Sequence, residues 1–169
     1  MIQLIKAATL VGITLLAAGA QAQSLYGELG FGALTYKEPG LKLKPGMVRG
    51  LLGYQISPNV SAEGMLGVGA NTDTVAGSGA SLKVNNMVGA FVKAQANVTT
   101  SFAIYGRLGG AYTKLRIRGA SDSGSSVAYG LGVSYDISKN LYLNADYMNY
   151  YDRNNQKIDG YTLGLGLRF

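Results

Sequence analysis

Residues 161–169 read YTLGLGLRF. Tyr161, Leu163, Leu165, Leu167 and Phe169 share one phase of this stretch, and a threonine, two glycines and an arginine alternate with them. Successive side chains of a β-strand point to opposite faces, so a period of two predicts a strand with one apolar face and one small or polar face. Such a strand needs an apolar environment on one side only.

The same alternation recurs in seven further segments. They are residues 24–36, 47–57, 60–70, 83–94, 101–114, 126–137 and 141–151. Each segment is long enough to supply the roughly 9–11 residues that a tilted strand needs to cross a bilayer. Tight turns such as Ser57-Pro58-Asn59 alternate with longer polar loops, predicted at residues 37–46, 71–82, 115–125 and 152–157. The sequence therefore predicts an all-β, eight-stranded antiparallel transmembrane up-and-down barrel, with both ends of the chain on the short-turn side.

The first 22 residues have the pattern of a cleaved signal peptide. Lys6 supplies a positive charge, residues 7–18 are apolar, and Ala20-Gln21-Ala22 places small residues at the positions that signal peptidase recognises. The alternative is an uncleaved membrane anchor, which the short apolar region disfavours. We therefore expect two parts, a signal peptide at 1–22 and a barrel domain at 23–169.

The chain contains no cysteine and no histidine. Disulfides are therefore excluded, and the usual general base and the commonest metal ligand are missing. Export, barrel architecture and this composition together predict a protein without a cofactor or a metal site.

Period two alone leaves open which phase faces the barrel interior, because a soluble lipocalin-type barrel would place the apolar phase inside. The polar phase is rich in Gly, Ser and Asn, which suits the narrow interior of an eight-stranded barrel. It also carries one charge on every strand, four acids and four bases. These residues are Glu28, Arg49, Glu63, Lys93, Arg107, Asp136, Asp146 and Arg168. The apolar phase is therefore expected to face lipid.

The eight interior charges favour a network of ion pairs that plugs the lumen. Removing one partner of a buried pair costs about 3–5 kcal/mol, so unpaired ions are disfavoured there. An Arg168–Glu28 pair is expected where the last strand meets the first. The alternative is that the charges line a conducting path, although eight strands leave little open lumen.

Aromatic residues are predicted to form girdles at both membrane interfaces, unless they reflect ordinary strand propensity. The short-turn girdle comprises Tyr54, Phe102, Tyr135 and Phe169, and the loop-side girdle comprises Tyr36, Tyr112, Tyr151 and Tyr161.

With the signal peptide, the hairpin count, the charged lumen and the final strand, residues 23–169 resemble the small eight-stranded outer-membrane barrels. That group includes the OmpA transmembrane domain, OmpX/Ail and the opacity-type surface proteins. The resemblance implies the outer membrane of a Gram-negative bacterium. It also implies that Tyr161, Leu163, Leu165, Leu167 and Phe169 form the signal read by the barrel-assembly machinery. Nothing after Phe169 corresponds to the peptidoglycan-binding domain of full-length OmpA, so the resemblance does not imply that anchoring role.

Three functions follow from the resemblance. The first is a non-enzymatic surface barrel in envelope integrity or adhesion, with lipopolysaccharide as the anionic partner of Lys42, Lys44, Arg116 and Arg118. These loop charges could alternatively serve only to solvate the rim. The second function is a narrow channel for ions or small solutes. The third, a lipid A-modifying enzyme, is disfavoured because the small barrels with that activity rely on His with Ser. Nucleic acid is not expected as a partner, since the basic residues are divided between lumen and rim, and the sequence identifies no host ligand.

Overall fold

The computed structural model describes residues 25–38, 41–71, 73–74, 81–117, 120–153 and 156–169. The predicted signal peptide lies outside these residues. The described residues form ten strands. They are β1 (Leu25–Glu38), β2 (Leu41–Leu43), β3 (Gly46–Ser57), β4 (Val60–Gly69), β5 (Asp73–Thr74), β6 (Ser81–Asn97), β7 (Phe102–Ile117), β8 (Ala120–Asp136), β9 (Leu141–Arg153) and β10 (Gln156–Arg168). None of the described segments is a helix long and apolar enough to cross a membrane.

Eight long strands pair in chain order and close into a barrel. The last strand, β10, pairs antiparallel with β1 in a register that runs from Tyr26 opposite Arg168 to Lys37 opposite Lys157. The two short strands are additions at the loop end, where β2 pairs with β1 and β5 pairs with β6. The prediction of an all-β, eight-stranded antiparallel barrel is therefore confirmed.

The strands extend further into the predicted loops than expected. The β7–β8 hairpin pairs out to Ile117 opposite Ala120, so most of the predicted loop at 115–125 is strand. Likewise β6 begins at Ser81, and β10 begins at Gln156. Ladder hydrogen bonds join backbone groups, so polar side chains do not prevent a hairpin from continuing beyond the apolar band.

The outward phase of the final strand is exposed from Tyr161 to Phe169. Leu163 and Leu165 are 64% and 50% exposed, whereas Thr162 between neighbouring outward positions is 3% exposed. Exposed leucine, valine and tyrosine occupy the predicted outward phase of the other long strands as well. A continuous apolar belt on the outside of a closed barrel is the arrangement that lipid stabilises.

Two residues depart from the predicted aromatic girdle. Tyr36 is 1% exposed and lies inside the barrel, because β1 continues unbroken and places it in the same phase as Tyr26 and Glu28. Tyr151 packs against the interior cluster. The register between β9 and β10 shifts near Ile158, and this bulge turns Tyr151 inward.

The loop-end half of the barrel interior is apolar. Its buried cluster comprises Leu34, Tyr36, Leu43, Met47, Met65, Met87, Phe91, Ala111, Ala128, Met148, Tyr150 and Ile158. Methionine is unbranched and flexible, so it fills irregular gaps between strands. The polar phase of the sequence predicts a polar interior throughout, and this apolar layer departs from that prediction.

Candidate functional site

Six of the eight predicted interior charges meet inside the barrel. Each side chain comes from a different strand, and each residue is at most 6% exposed. They are Glu28 on β1, Arg49 on β3, Glu63 on β4, Lys93 on β6, Arg107 on β7 and Asp146 on β9. Three carboxylates therefore face three cations, and the layer is balanced by formal charge.

Arg107 is the centre of this layer. Its guanidinium contacts all three carboxylates, with Nε 2.6 Å from Glu63 Oε2, Nη1 2.6 Å from Asp146 Oδ2 and Nη2 2.8 Å from Glu28 Oε2. The guanidinium fork presents five fixed N–H donors, and this side chain uses its whole fork. One cation thus links strands that are remote in sequence.

Arg49 and Asp146 form a second, bidentate contact. Arg49 donates from Nη1 to Asp146 Oδ1 at 3.0 Å and from Nη2 to Oδ2 at 2.6 Å. Its Nη1 also donates to the Tyr150 hydroxyl at 3.1 Å. Parallel hydrogen bonds of this kind fix orientation as well as charge. Through Tyr150, the ionic layer contacts the apolar cluster.

Lys93 is held less directly. Its ammonium lies 3.7 Å from Glu28 Oε1 and 4.0 Å from Glu63 Oε1. It also lies over the rings of Tyr26 and Tyr105, 4.9 and 4.6 Å from their centroids. Aromatic faces attract cations, so these rings add to the stabilisation that the two carboxylates give the Lys93 ammonium.

Three interior tyrosines complete the layer. Tyr26 donates to Glu63 at 2.6 Å, Tyr142 to Glu28 at 3.0 Å and Tyr105 to Asp146 at 3.2 Å. Each ring lies against the glycine paired with it on the neighbouring strand. The pairs are Tyr26–Gly53, Tyr105–Gly132 and Tyr142–Gly166. A side chain at any of these glycines would occupy the space of the ring. These tyrosines were not predicted from the sequence, although a tyrosine in the polar phase was a usable signal.

The remaining two predicted charges form a separate pair at the short-turn mouth. Arg168 Nη2 lies 2.7 Å from Asp136 Oδ1, both side chains are about one-third exposed, and the guanidinium lies over the Tyr142 ring. The expected Arg168–Glu28 pair is wrong. The seam register places Glu28 opposite Gly166, deeper in the barrel, where Arg107 and Lys93 contact it.

Only one of the four predicted lipopolysaccharide contacts has a side chain in the described part of the structure. Lys44 is exposed. Lys42 lies on β2 and Arg116 on β7, but their side chains are outside the described part of the structure, as is all of Arg118. Within the described residues, no group of acids is arranged to hold a metal ion.

The closed barrel, its apolar belt and its ionic interior define a small outer-membrane barrel protein. Residues 8–169 match the family model described as the outer membrane protein beta-barrel domain, and the chain belongs to that family. It is an outer-membrane protein of the Gram-negative envelope.

Solved structures show the same fold at low identity. Ail of Yersinia pestis, in complex with the heparin analogue sucrose octasulfate, is 21% identical with a TM-score of 0.65, over 86% of this chain and 98% of Ail. Neisserial surface protein A is 18% identical with a TM-score of 0.62, over 86% of this chain and 97% of that protein. A de novo designed transmembrane barrel also matches, at 15% identity and a TM-score of 0.57, over 88% of this chain and 98% of the design. A search of curated proteins found no significant match. Since a designed barrel matches as well, these similarities define the fold alone.

Proposed function

We propose that this protein is a sealed, non-conducting outer-membrane barrel that acts in envelope integrity or surface interaction through its outer rim. The observation that carries the proposal is the contact of Arg107 with three carboxylates from three other strands. Such a network links the strands across the lumen and leaves little space for a solute.

Two layers oppose conduction. In the ionic layer, an ion could pass only if buried pairs separated, and each uncompensated buried charge costs several kcal/mol. The apolar cluster lies toward the loop end, and its leucine, isoleucine and methionine side chains do not replace the hydration shell of an ion. The charges therefore support a structural role better than the rival role, a narrow channel for ions or small solutes.

The outer rim is the proposed interaction surface. Lipopolysaccharide is its proposed partner, because Lys and Arg pair with phosphate and the chain carries a formal net charge of +6. The contacts predicted from sequence, Lys42, Lys44, Arg116 and Arg118, belong to this proposal. The solved Ail complex contains a highly sulfated sugar, which makes sulfated glycans a second class of anion to test on the rim.

Assembly is proposed to depend on the final strand. The outward face of β10, together with the residue that follows it, presents five exposed side chains. They are Tyr161, Leu163, Leu165, Leu167 and Phe169. This apolar stripe supports their proposed role as the signal for the barrel-assembly machinery.

Single-channel conductance tests the sealed lumen. The refolded barrel is added to a planar bilayer in about 1 M KCl. A general porin, measured in parallel, is the control for insertion. We expect no conductance steps from the barrel, because eight strands leave little lumen beyond their own side chains. Discrete, reproducible steps that scale with protein concentration would replace this proposal with the channel.

A further inference from the structure

A second charged cluster lies on the outside of the barrel, at the seam between β1 and β10. The Asp159 side chain is only 6% exposed, although it is on the outward face. Its Oδ2 atom is 3.4 Å from Lys37 Nζ and 3.9 Å from Lys157 Nζ. The lysine side chains are 51% and 37% exposed. One covered carboxylate therefore holds two accessible ammonium groups.

The strand register brings the two lysines together. Lys37 and Lys157 are directly opposite across the seam, an arrangement that repels unless an anion compensates it. Asp159 supplies one negative charge for two positive charges, so these three groups retain an excess of +1. Asp152 is opposite Lys157 on β9 and is exposed, and the described residues include no ion pair between the two.

The cluster lies at the height of the lipid headgroups. Ten residues separate Asp159 from Phe169, and at about 3.3 Å per residue with a tilt of about 40° they span about 25 Å along the membrane normal. That distance is about the height of the apolar band of an outer-membrane barrel. Just below the cluster, the Tyr147 and Tyr161 rings pack 5.0 Å apart on the outward face. Tyr147 also lies within hydrogen-bonding reach of Asp159.

An independent observation marks this surface as polar. Asn149 is the β9 partner of Asp159, is 1% exposed, and has no hydrogen-bond partner for either amide atom among the described residues. A buried amide without a partner costs free energy. Its register position beside Asp159 places an unpartnered amide next to the carboxylate that holds the two lysines.

We infer that Lys37, Lys157 and Asp159 form a binding site for a phosphate group of lipopolysaccharide. The two ammonium groups donate to phosphate oxygens, and Asp159 keeps them side by side when no lipid is bound. The buried Asn149 amide adds a polar group beside Asp159. This inference rests on the proposed function, because it assigns a site for the lipopolysaccharide partner on residues that the sequence analysis did not select.

The test is lipopolysaccharide binding to the folded barrel in zwitterionic nanodiscs. It compares Lys37→Gln/Lys157→Gln with the matched control Lys114→Gln/Lys139→Gln, which removes the same charge from two exposed lysines, one on β7 and one in a short turn. The site variant should bind about thirtyfold more weakly than wild type, as two lysine–phosphate contacts predict, and the control should change less than about threefold. Phosphatase-treated lipopolysaccharide should bind wild type as weakly as the untreated lipid binds the site variant.

The outcomes separate this inference from the proposed function. If wild type does not bind lipopolysaccharide at all, the proposed partner and the proposed site are both wrong. If wild type binds but the site variant equals the control, only the site assignment is overturned. If inorganic phosphate alone binds as tightly, the lipid source is overturned. If the site variant is less thermally stable without lipid but binds lipid with unchanged affinity, the cluster stabilises the β1–β10 pairing and the binding role is overturned.

Discussion

Replacement of Arg107 by methionine tests the ionic layer most severely. The guanidinium donates five hydrogen bonds, to Glu28, Glu63, Asp146 and Tyr105. Without it, three buried carboxylates face two cations, and the layer changes from neutral to a formal charge of −1. Breaking a buried ion pair by removing one partner costs about 3–5 kcal/mol, so Arg107→Met should lower the free energy of unfolding by about that amount.

A second substitution separates charge balance from packing. Glu63→Gln in the Arg107→Met background leaves Glu28 and Asp146 facing two cations, and balance is restored. We expect the double variant to be more stable than Arg107→Met alone, with a coupling energy of about 0.5–3 kcal/mol.

Equilibrium urea unfolding in lipid vesicles measures both effects. The chain has no tryptophan, so circular dichroism and the shift in gel mobility on heating should report unfolding. The change in stability is read from the midpoint at constant slope. A loss below about 1 kcal/mol for Arg107→Met, or a double variant no more stable than the single one, would refute the reasoning that this network holds the barrel.

Three further predictions concern the two faces of the barrel. Leu165→Arg should destabilise the barrel by about 2–4 kcal/mol in lipid, since Leu165 lies on the outward face, and a neutral effect would mean that this face does not meet the bilayer core. Gly132→Ala should cost about 1–3 kcal/mol because its methyl group would collide with the Tyr105 ring. Gly64→Ala is the matched control, with open space around it, and should change stability by less than about 0.5 kcal/mol. The four methionines of the apolar cluster should resist peroxide in the folded barrel and oxidise after unfolding, as mass spectrometry can show; equal oxidation in both states would contradict the buried layer.

Period-two alternation was sufficient to predict the strands of the barrel, and the small and charged residues of one phase were needed to predict which face lies inside. The pattern in residues 161–169 depends only on the geometry of a strand, so the structure retains it from Tyr161 to Phe169. The six charges that meet in the lumen were also accessible to prediction. A charge in the small-residue phase of each strand has no other place than the interior once the apolar phase faces lipid.

The pairing within the lumen could not be predicted in the same way. Which acid contacts which base depends on the stagger between strands, and the Arg168–Glu28 expectation was wrong because the register places them at different depths. Tyr36 was misplaced because it lies in the inward phase of β1, with Tyr26 and Glu28, and the girdle prediction did not take that phase into account. The methionine layer was missed because a methionine in the polar phase can pack against other apolar side chains or against a charged one. The sequence does not show which of these contacts forms.

Spin-label accessibility at Leu165 and Thr162 is the most direct test of a sealed barrel with an outward apolar face. The chain has no native cysteine, so single-cysteine variants are specific. A label at Leu165 should collide with lipid-soluble oxygen and be protected from a water-soluble nickel reagent. Thr162 lies in the interior and is 3% exposed, so a label at this position should be protected from both oxygen and the nickel reagent. High nickel accessibility at Thr162 in the folded, membrane-inserted barrel would show a water-filled lumen and contradict the account.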